Sequence, residues 1–198
     1  MYHIKEKAIA QIEVKKSKFI CILLPIEDET KIKEEIKQIK KEYPKATHYC
    51  YGSIINNTQR SNDDGEPAST AGKPIAETLK NHDLDNVLAV VVRYFGGTLL
   101  GTAGLVKAYS GACSQAIENA TLTSPIELSQ YQLAVDYSLT NKIEFLLKNN
   151  THDFTRDYQE QAIYTYRSEK DITNLITEIT GGKYKPIFIK KATIEKEG

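Results

Sequence analysis

The chain has 198 residues, of which 40% are hydrophobic and 26% are charged, and these fractions are typical of a globular protein. Its 26 basic residues equal its 26 acidic residues in number, so the composition lacks the overall basic character of many nucleic-acid-binding domains. No apolar run approaches the ~18 residues of a membrane span, the first residues lack the pattern of a secretory signal, and three scattered cysteines do not suit a disulfide framework. We therefore expect a cytoplasmic protein.

The N-terminal segment predicts a β-hairpin followed by a helix. Residues 5–14 and 17–26 have the composition of strands, and a tight turn is expected near Lys16. Residues 28–43 carry apolar side chains at helical spacing, with acidic residues at the start and lysines at the end, which is the order that the helix dipole favours. Pro44 ends this helix, because proline has no N–H group to continue it.

The next segment predicts the most buried part of the chain. Residues 48–55 are a strand candidate, and residues 56–72 form a polar loop with too little apolar content to join a core. A loop of that length is commonly functional or disordered. Pro74 opens a short helix. Residues 87–92 are continuously apolar, which predicts a strand covered on both faces, and residues 102–120 predict a helix whose many small side chains allow close packing on the sheet.

The remainder of the chain predicts a second domain. The tripeptide Thr123-Ser124-Pro125 has the composition of a linker. The residues after it predict the order βαββαβ, with strands at 131–137, 152–157, 162–168 and 184–194 and helices at 139–149 and 170–180. This order is the ferredoxin-like motif. The sequence therefore predicts an α+β protein of two domains, residues 1–125 and residues 128–198.

Two runs rich in glycine, proline and charged residues predict a functional surface. They cover residues 63–74 and 93–101. Residues of these types shape irregular backbone and stay solvated or paired, so neither run belongs mainly to a core. Gly96 and Gly97 stand between a strand and a helix, where backbone N–H groups can approach an anion. The same glycines also suit a tight turn and close packing of the helix.

The acidic residues of the first run have the chemistry of a hard-metal or hydrolytic centre. Asp63, Asp64 and Glu66, together with His48, supply the required oxygen and nitrogen ligands, but their spacing matches no metal-site motif. Cys50 lies close to His48 without a third group to orient the histidine, which favours a buried thiol over a catalytic pair. No Walker motif or Gly-x-Gly-x-x-Gly motif occurs, so we expect no metal and no cofactor.

A structural role for the same residues competes with a catalytic one. Asp63 and Asp64 suit a turn with Gly65, or pairing with Arg93 if the loop folds over the end of the strand. The loop can also present Glu66 to a partner. These alternatives stay open at the level of the sequence.

Several motifs in the N-terminal part of the chain together resemble one protein family. They are Ser17-Lys18-Phe19, His48-Tyr49-Cys50, Asp64-Gly65-Glu66-Pro67, Thr70-Ala71-Gly72-Lys73-Pro74, Arg93-Tyr94-Phe95-Gly96-Gly97, Leu100-Gly101 and Leu105-Val106-Lys107-Ala108-Tyr109. The chain resembles the Impact family, and within it the bacterial YigZ branch. It departs from the family at Ser69 and Ala103, where glycine is common, and we expect neither position to need a positive φ.

The resemblance implies both a fold and a field of function. It implies that the N-terminal domain has the ribosomal-protein-like α/β sandwich fold also found in a translocating elongation factor. It implies that the C-terminal domain is similar to another domain of that factor, and hence a role in translation or RNA binding. Eukaryotic relatives bind the activator of the general-control kinase, but bacteria lack that pathway, so this partner does not transfer to a bacterial chain.

The sequence thus predicts a non-enzymatic protein that binds RNA, a ribosome or a translation factor through a groove in the N-terminal domain. Arg93 and Lys107 would supply positive charge there, and Lys73 a phosphate contact. The residues expected at the groove are His48, Asp64, Gly65, Glu66, Pro67, Thr70, Gly72, Lys73, Arg93, Phe95, Gly96, Gly97, Gly101 and Lys107. Tyr164 or Tyr166 would stack on single-stranded RNA if the C-terminal sheet exposes them, although alternating aromatic residues in a strand more often belong to a core.

Two other functions remain open. One is a hydrolase that acts on a small phosphorylated or peptide substrate with Asp64, Glu66 and His48, for which an enclosed pocket with converging side chains is expected. The other is a protein-interaction module like the eukaryotic relatives, for which an exposed apolar patch beside the Glu66 loop is expected.

Overall fold

The computed structural model describes residues 1–197, which divide into two units: Met1–Ser124 together with Glu197, and Pro125–Lys196. Each unit combines helices with a β-sheet, which confirms the predicted α+β class. None of the described helices combines the length and the apolar character that crossing a lipid bilayer requires.

The first unit is built on a five-stranded antiparallel sheet. The five strands of this sheet are β2 Ala8–Val14, β3 Ser17–Pro25, β4 His48–Ile55, β5 Thr58–Asn62 and β6 Val87–Tyr94. The unit also contains the short strand β1 His3–Ile4, which lies outside this sheet, and the helices α1 Ile32–Glu42, α2 Gly72–Asn81 and α3 Gly101–Glu118. The strand order is β2-β3-β6-β4-β5, with antiparallel pairing throughout. The central strand β6 therefore lies between β3 and β4.

Strand β6 is covered on both faces, as its apolar sequence predicts. Residues 87–92 are all fully buried, and successive side chains of a strand point to opposite faces of its sheet. Val91 packs in a cluster that includes Ile75 of α2 and Leu105 of α3. Val90 packs in a second cluster with Ile39 of α1. The unit is thus a three-layer arrangement with the sheet in the middle.

Two hairpins of this sheet turn through two residues each. Lys15 and Lys16 have φ values of 47° and 65°, and Asn56 and Asn57 have values of 49° and 62°. Positive φ at both central residues is the turn geometry that matches the twist of a hairpin. The turn predicted near Lys16 is therefore confirmed.

The predicted loop 56–72 was wrong in part, because residues Thr58–Asn62 form β5. This strand pairs with β4 at the edge of the sheet, and all five of its residues are exposed. A strand exposed on both faces has no alternation of apolar and polar residues, so the sequence pattern gave no signal for it. The irregular part of the segment is residues 63–71.

The first long helix begins later than predicted. Residues Glu29–Lys31 form a 3₁₀ turn, and α1 follows it from Ile32. The Asp28 side chain caps this turn, since its Oδ1 atom accepts the N–H of Thr30 at 2.8 Å.

The second unit has the predicted βαββαβ order along the chain. Its elements are β7 Leu122–Val135, α4 Thr140–Asn150, β8 Asp153–Tyr158, β9 Ala162–Ser168, α5 Thr173–Thr180 and β10 Ile187–Glu197. The strand order is β10-β7-β9-β8. The boundary between the two units falls within the predicted linker 123–125, but these residues are not irregular, because they belong to β7, and Thr123 pairs with His3 of β1. A short polar segment carries no sequence pattern that predicts its pairing with a distant strand.

The tyrosines expected to stack on RNA lie in the core of this unit. Tyr164 is fully buried and Tyr166 is 1% exposed. Alternate residues of β9 face inward and pack with Leu133 of β7, Leu147 of α4 and Ile176 of α5. The two rings therefore take the core position that is more common for alternating aromatic residues, and they are not exposed for stacking on RNA.

Candidate functional site

Three neighbouring strands place Phe19, His48 and Arg93 side by side. Arg93 of β6 lies opposite Phe19 of β3 and opposite His48 of β4. Directly opposite residues of antiparallel strands share a face of the sheet. Phe19 belongs to the cluster packed against α2 and α3, so the Arg93 side chain enters an apolar region and needs a partner there.

Glu66 is the partner of Arg93. Its Oε1 atom lies 2.5 Å from Arg93 Nη1 and accepts the hydroxyl of Tyr109 at 2.7 Å. Glu66 is 8% exposed and Arg93 is 5% exposed. The expectations that Glu66 is presented to a partner and that Arg93 supplies free positive charge were wrong, because each neutralises the other in the interior.

Asp63 organises the loop instead of pairing with Arg93. Its Oδ2 atom accepts the N–H of Ser69 at 2.8 Å, and its Oδ1 atom accepts the N–H groups of Ala71 at 3.1 Å and Gly72 at 2.8 Å. The carboxylate thereby ties the loop to the start of α2. Ser69 adopts a φ of 61°, so the expectation that this position does not need a positive φ was wrong.

Asp64 and Gly65 hold His48 in place. The Asp64 Oδ2 atom accepts the N–H of Tyr49 at 2.7 Å, and the Asp64 carbonyl oxygen lies 2.7 Å from His48 Nδ1. A carbonyl only accepts hydrogen bonds, so His48 Nδ1 carries a proton. The other nitrogen, Nε2, lies 3.9 Å from Glu66 Oε1. Gly65 reaches its φ of 86°, which favours glycine, beside the imidazole ring.

The Arg93 guanidinium lies between two aromatic rings. Its central carbon is 5.4 Å from the centroid of Phe19 and 5.5 Å from that of Phe95. Such stacking is attractive because the ring faces are electron-rich. The Arg93 Nε atom is buried and has no hydrogen-bond partner among the described residues. The guanidinium is thus held firmly while one of its donors stays unused.

Cys50 is a buried thiol within the same network, as the sequence predicts. Its Sγ atom lies 2.9 Å from the Asp63 carbonyl oxygen and 3.4 Å from the Tyr109 hydroxyl. Burial raises the pKa of the Cys50 thiol to about 12. The thiolate is the reactive form of cysteine, so the side chain stays a neutral thiol at physiological pH.

A pocket of about 360 Å³ opens above the Arg93–Glu66 pair. His48, Glu66 and Arg93 are its ionisable residues, and Thr47 and Thr102 add two hydroxyl groups to the lining. Its apolar walls are Pro67, Phe95, Leu99, Leu100 and Leu105. Two wall residues are accessible outside the pocket as well, since Phe95 is 46% exposed and Leu99 is 83% exposed. An apolar patch therefore lies beside the Glu66 loop.

The start of α3 also lines the pocket, through Gly101 and Thr102. Leu100 is the N-cap residue, and α3 has neither a side-chain cap nor an acidic residue in its first turn. The first N–H groups of a helix lack partners within the helix. The positive end of α3 thus faces the pocket without a local counter-charge from its own sequence.

Three predicted site residues shape the backbone away from the pocket walls. A Cβ atom on Gly96 would lie 2.0 Å from the Lys16 backbone, and one on Gly72 would lie 2.6 Å from the Asn62 backbone. The Thr70 hydroxyl donates to the Pro67 carbonyl oxygen at 2.6 Å. These residues allow close approach or hold the loop.

The predicted lysines lie outside the pocket lining. Lys73 is exposed and lies 3.8 Å from Glu77 on the next turn of α2. Lys107 is exposed on α3. Gly97 has a φ of 84° and open space around it. Apart from His48, Arg93 is the only cationic residue among the described residues that line the pocket.

Sequence reasoning predicted the wall residues Pro67 and Phe95 but missed the role of three leucines and of one polar group. Tyr109 was read only as part of a family motif on a helix of small residues, although its hydroxyl contacts Glu66. Leu99, Leu100 and Leu105 have no polar group to mark them. One signal could have indicated Leu99. Two adjacent leucines, Leu99 and Leu100, stand in a glycine-rich turn where apolar residues are not expected.

The predicted carboxylates do not assemble into a metal centre. The described residues contain no group of three or more His, Cys, Asp or Glu side chains placed to hold one ion. Asp64 directs its carboxylate to the Tyr49 backbone, whereas Glu66 and His48 approach each other within the pocket. The arrangement therefore offers an apolar cavity with a buried, internally neutralised polar end.

Comparisons with known proteins give consistent results. The family profile described as the Impact N-terminal domain matches residues 15–117. The chain is 35% identical over 195 residues to "IMPACT family member YvyE" of Bacillus subtilis, covering 92% of this chain and 88% of that protein. It is 40% identical over 140 residues to "IMPACT family member YigZ" of Escherichia coli, covering 68% and 69%. A crystal structure of a hypothetical protein matches 96% of this chain and 97% of its own, with 30% identity and a TM-score of 0.60.

Proposed function

The chain belongs to the Impact family, and from this premise we propose that it is a non-enzymatic binding protein of the translation apparatus in the cytoplasm. In this proposal a translation factor or a ribosomal protein docks an apolar group into the pocket above Arg93 and Glu66. The link to translation rests on what the family resemblance implies. The proposed mode of binding rests on the apolar side chains around the pocket.

The observation that carries the proposal is the apolar patch beside the Glu66 loop. Leu99 is 83% exposed and Phe95 is 46% exposed at the mouth of the pocket. Single exposed apolar residues are common, but apolar side chains that converge on a cavity with a polar end are typical of recognition sites. The patch therefore supports a protein partner.

The charges of the site argue against RNA as the main partner. A phosphate backbone needs free cations, whereas Arg93 is buried and paired with Glu66 at 2.5 Å. The predicted cations that stay exposed are Lys73 and Lys107, and both lie outside the pocket lining. The tyrosines Tyr164 and Tyr166 are in the core. The groove expected from the sequence thus has fewer available contacts for RNA than its residues suggested.

The hydrolase alternative has weaker support. Of its three expected residues, only Glu66 and His48 approach each other, and Glu66 Oε1 is occupied by Arg93 and Tyr109. A general base needs an acceptor that is free to take a proton from the substrate. Glu66 Oε1 instead accepts hydrogen bonds from two groups of the protein itself.

Co-sedimentation with purified bacterial ribosomes, and pull-down of purified translation factors, would test the proposal across a salt series. We expect binding that changes little with salt and falls at least tenfold in Leu99→Asp. The matched control is Phe145→Asp. Phe145 is 74% exposed on α4, so this variant also replaces an exposed apolar side chain by aspartate, but outside the first unit.

Two outcomes would contradict the proposal. If binding falls steeply with salt and responds to Lys107→Ala but not to Leu99→Asp, the partner is RNA, because counterion release produces that salt dependence. If neither ribosomes nor factors bind even at low salt, the link to translation fails.

A further inference from the structure

The second unit exposes three consecutive apolar residues at the start of β10. Ile187 is 64% exposed, Phe188 is 51% exposed and Ile189 is 47% exposed. Single exposed apolar residues are normal on a protein surface, whereas an unbroken run of them is typical of a surface that binds another molecule. We call residues 187–189 the apolar run.

The apolar run lies at an edge of the sheet. Strand β7 is the only strand partner of β10 among the described residues. The backbone N–H and C=O groups on the other side of β10 can therefore pair with a strand of another chain. Lysine and proline commonly protect such edges, and here Pro186 precedes the run while Lys190 and Lys191 follow it. This protection flanks the run and leaves its three residues open.

The strand is already formed where the run lies. The Phe188 ring packs edge to face on Tyr131 of β7, with centroids 5.8 Å apart. Successive side chains of a strand point to opposite faces of its sheet, so Ile187 and Ile189 lie on the face opposite to Phe188. A second strand would thus meet a preformed edge with apolar side chains on both faces, and little conformational entropy would be lost on binding.

From these features we infer that β10 pairs with β10 of a second copy of the chain, antiparallel and around a twofold axis at Phe188. The order Ile-Phe-Ile reads the same in both directions. Antiparallel pairing therefore places Phe188 opposite Phe188 of the second copy, and Ile187 opposite Ile189 of the second copy. Aromatic and β-branched residues that lie directly opposite each other stabilise a sheet. This self-association goes beyond the proposed function and does not depend on it.

The order of residues in the run favours a second copy over a different protein. A twofold interface between identical chains uses the same patch of both copies, so the patch must be complementary to itself. A palindromic apolar run has this property. A strand of a different protein would need to supply a matching run of its own.

The two lysines limit the register and the strength of the pairing. If the axis lay at Lys190 or Lys191, two lysines would face each other directly, and like charges in that position are destabilising. With the axis at Phe188, both lysines lie beyond the three apolar pairs. So short an interface buries much less than the ~1,200 Å² of a stable complex. We therefore expect a weak, reversible dimer.

Sedimentation equilibrium of the full chain over a concentration series would test the inference. The series runs from about 5 µM to about 500 µM, which brackets the affinity expected of so small an interface. We expect the average mass to rise from that of one chain toward that of two. Ile189→Lys should keep the mass of one chain throughout, because pairing would bring a charged side chain against Ile187 of the second copy. Lysine is common on edge strands, so this variant should fold.

Two further variants make the test specific to the run. Ile187→Lys changes the other position of the same apolar pair and should also abolish association. The matched control is Phe145→Lys, because Phe145 is 74% exposed on α4 and the same change there leaves the run intact. It should associate as the wild-type chain does. Circular dichroism spectra that match the wild type would show that the variants are folded.

The mass of one chain at every concentration of the wild type would overturn the inference. Equal association of the wild type and Ile189→Lys, or a loss of association in Phe145→Lys, would also overturn it. These results are separate from those that test the proposed function. Leu99→Asp lies in the first unit and should leave self-association unchanged, so a chain that binds ribosomes or factors but stays monomeric loses only this inference.

Discussion

The pairs Arg93–Glu66 and Arg167–Asp153 join the same two chemical groups in opposite surroundings. The side chains of Arg93 and Glu66 are 6% and 4% exposed, whereas those of Arg167 and Asp153 are 37% and 44% exposed. An exposed pair is screened by water and contributes little, while a buried pair that loses one member leaves an uncompensated charge. The comparison shows that the surroundings of an ion pair, more than its contact geometry, decide how much stability is lost when one member is removed.

The two pairs also differ in what they connect. Arg167 and Asp153 lie on neighbouring strands that are already hydrogen-bonded to each other. Glu66 instead comes from an irregular loop and reaches a strand through Arg93 and a helix through Tyr109. The buried pair therefore fixes the position of the loop that forms one side of the pocket.

The largest effect is expected for Glu66→Gln, which removes the negative charge and leaves Arg93 charged in an apolar region. Breaking a buried pair costs about 3–5 kcal/mol. We expect the free energy of unfolding of the first unit to fall by about 3 kcal/mol in urea titrations followed by circular dichroism.

A double replacement tests the reason for this loss. If the cost comes from the uncompensated charge, Glu66→Leu with Arg93→Met should be less destabilising than Glu66→Gln alone, since an apolar pair of similar volume often replaces a buried ion pair without loss. A loss below about 1 kcal/mol for Glu66→Gln would mean that the pair is as weak as an exposed one.

A smaller effect is expected for Tyr109→Phe. The change removes the hydroxyl that donates to Glu66 but keeps the ring, which packs edge to face on Phe19 with centroids 5.1 Å apart. A hydrogen bond to a charged group contributes about 1.5–3 kcal/mol. Because Glu66 keeps Arg93 as a partner, we expect a loss at the lower end, about 1.5 kcal/mol, measured by urea unfolding. No loss would show that Arg93 alone satisfies Glu66.

The elements with strong apolar patterns were predictable from the sequence. The strand at residues 48–55 and the buried strand from residue 87 match β4 and β6, and the order of the second unit matches as well. Strand β5 and the start of β7 were not predictable, because both depend on pairing with distant strands and carry no apolar alternation.

The site was predictable in its residue types but not in its pairing. The sequence placed Asp63, Asp64 and Glu66 near Arg93, yet three carboxylates so close in sequence could each have been the partner. Which carboxylate pairs with Arg93 depends on backbone geometry. The Asp63 carboxylate accepts the N–H of Gly72 at the start of α2, and the Asp64 carboxylate accepts the N–H of Tyr49. Tyr109, which completes the network, lies 43 positions from Glu66.

Ser69→Gly tests how much the strained backbone at Ser69, in the loop that carries Glu66, lowers the free energy of unfolding. Ser69 adopts a φ of 61°, and a left-handed conformation costs a non-glycine residue about 1–2 kcal/mol. Glycine removes that strain but loses more chain entropy on folding. We expect a net stabilisation of about 0.5 kcal/mol in urea unfolding, with the Asp63 hydrogen bond to the backbone N–H kept. Destabilisation would mean that the serine side chain itself contributes.

The smallest effect is expected for Asp153→Asn, the exposed counterpart of Glu66→Gln. The hydrogen bond from Arg167 lowers the pKa of the Asp153 carboxyl group, so its contribution is present above the ordinary carboxyl pKa of about 4 and is lost as the pH falls through the lowered value. We expect a loss of at most about 0.5 kcal/mol at pH 7 in urea unfolding, because water and salt screen the pair. The difference from wild type should shrink in 1 M salt and vanish once the pH is below the lowered pKa of Asp153. If Asp153→Asn lowered the free energy of unfolding as much as Glu66→Gln, the exposed and the buried pair would contribute equally. Burial would then not explain why the loop at the pocket depends on the Arg93–Glu66 pair.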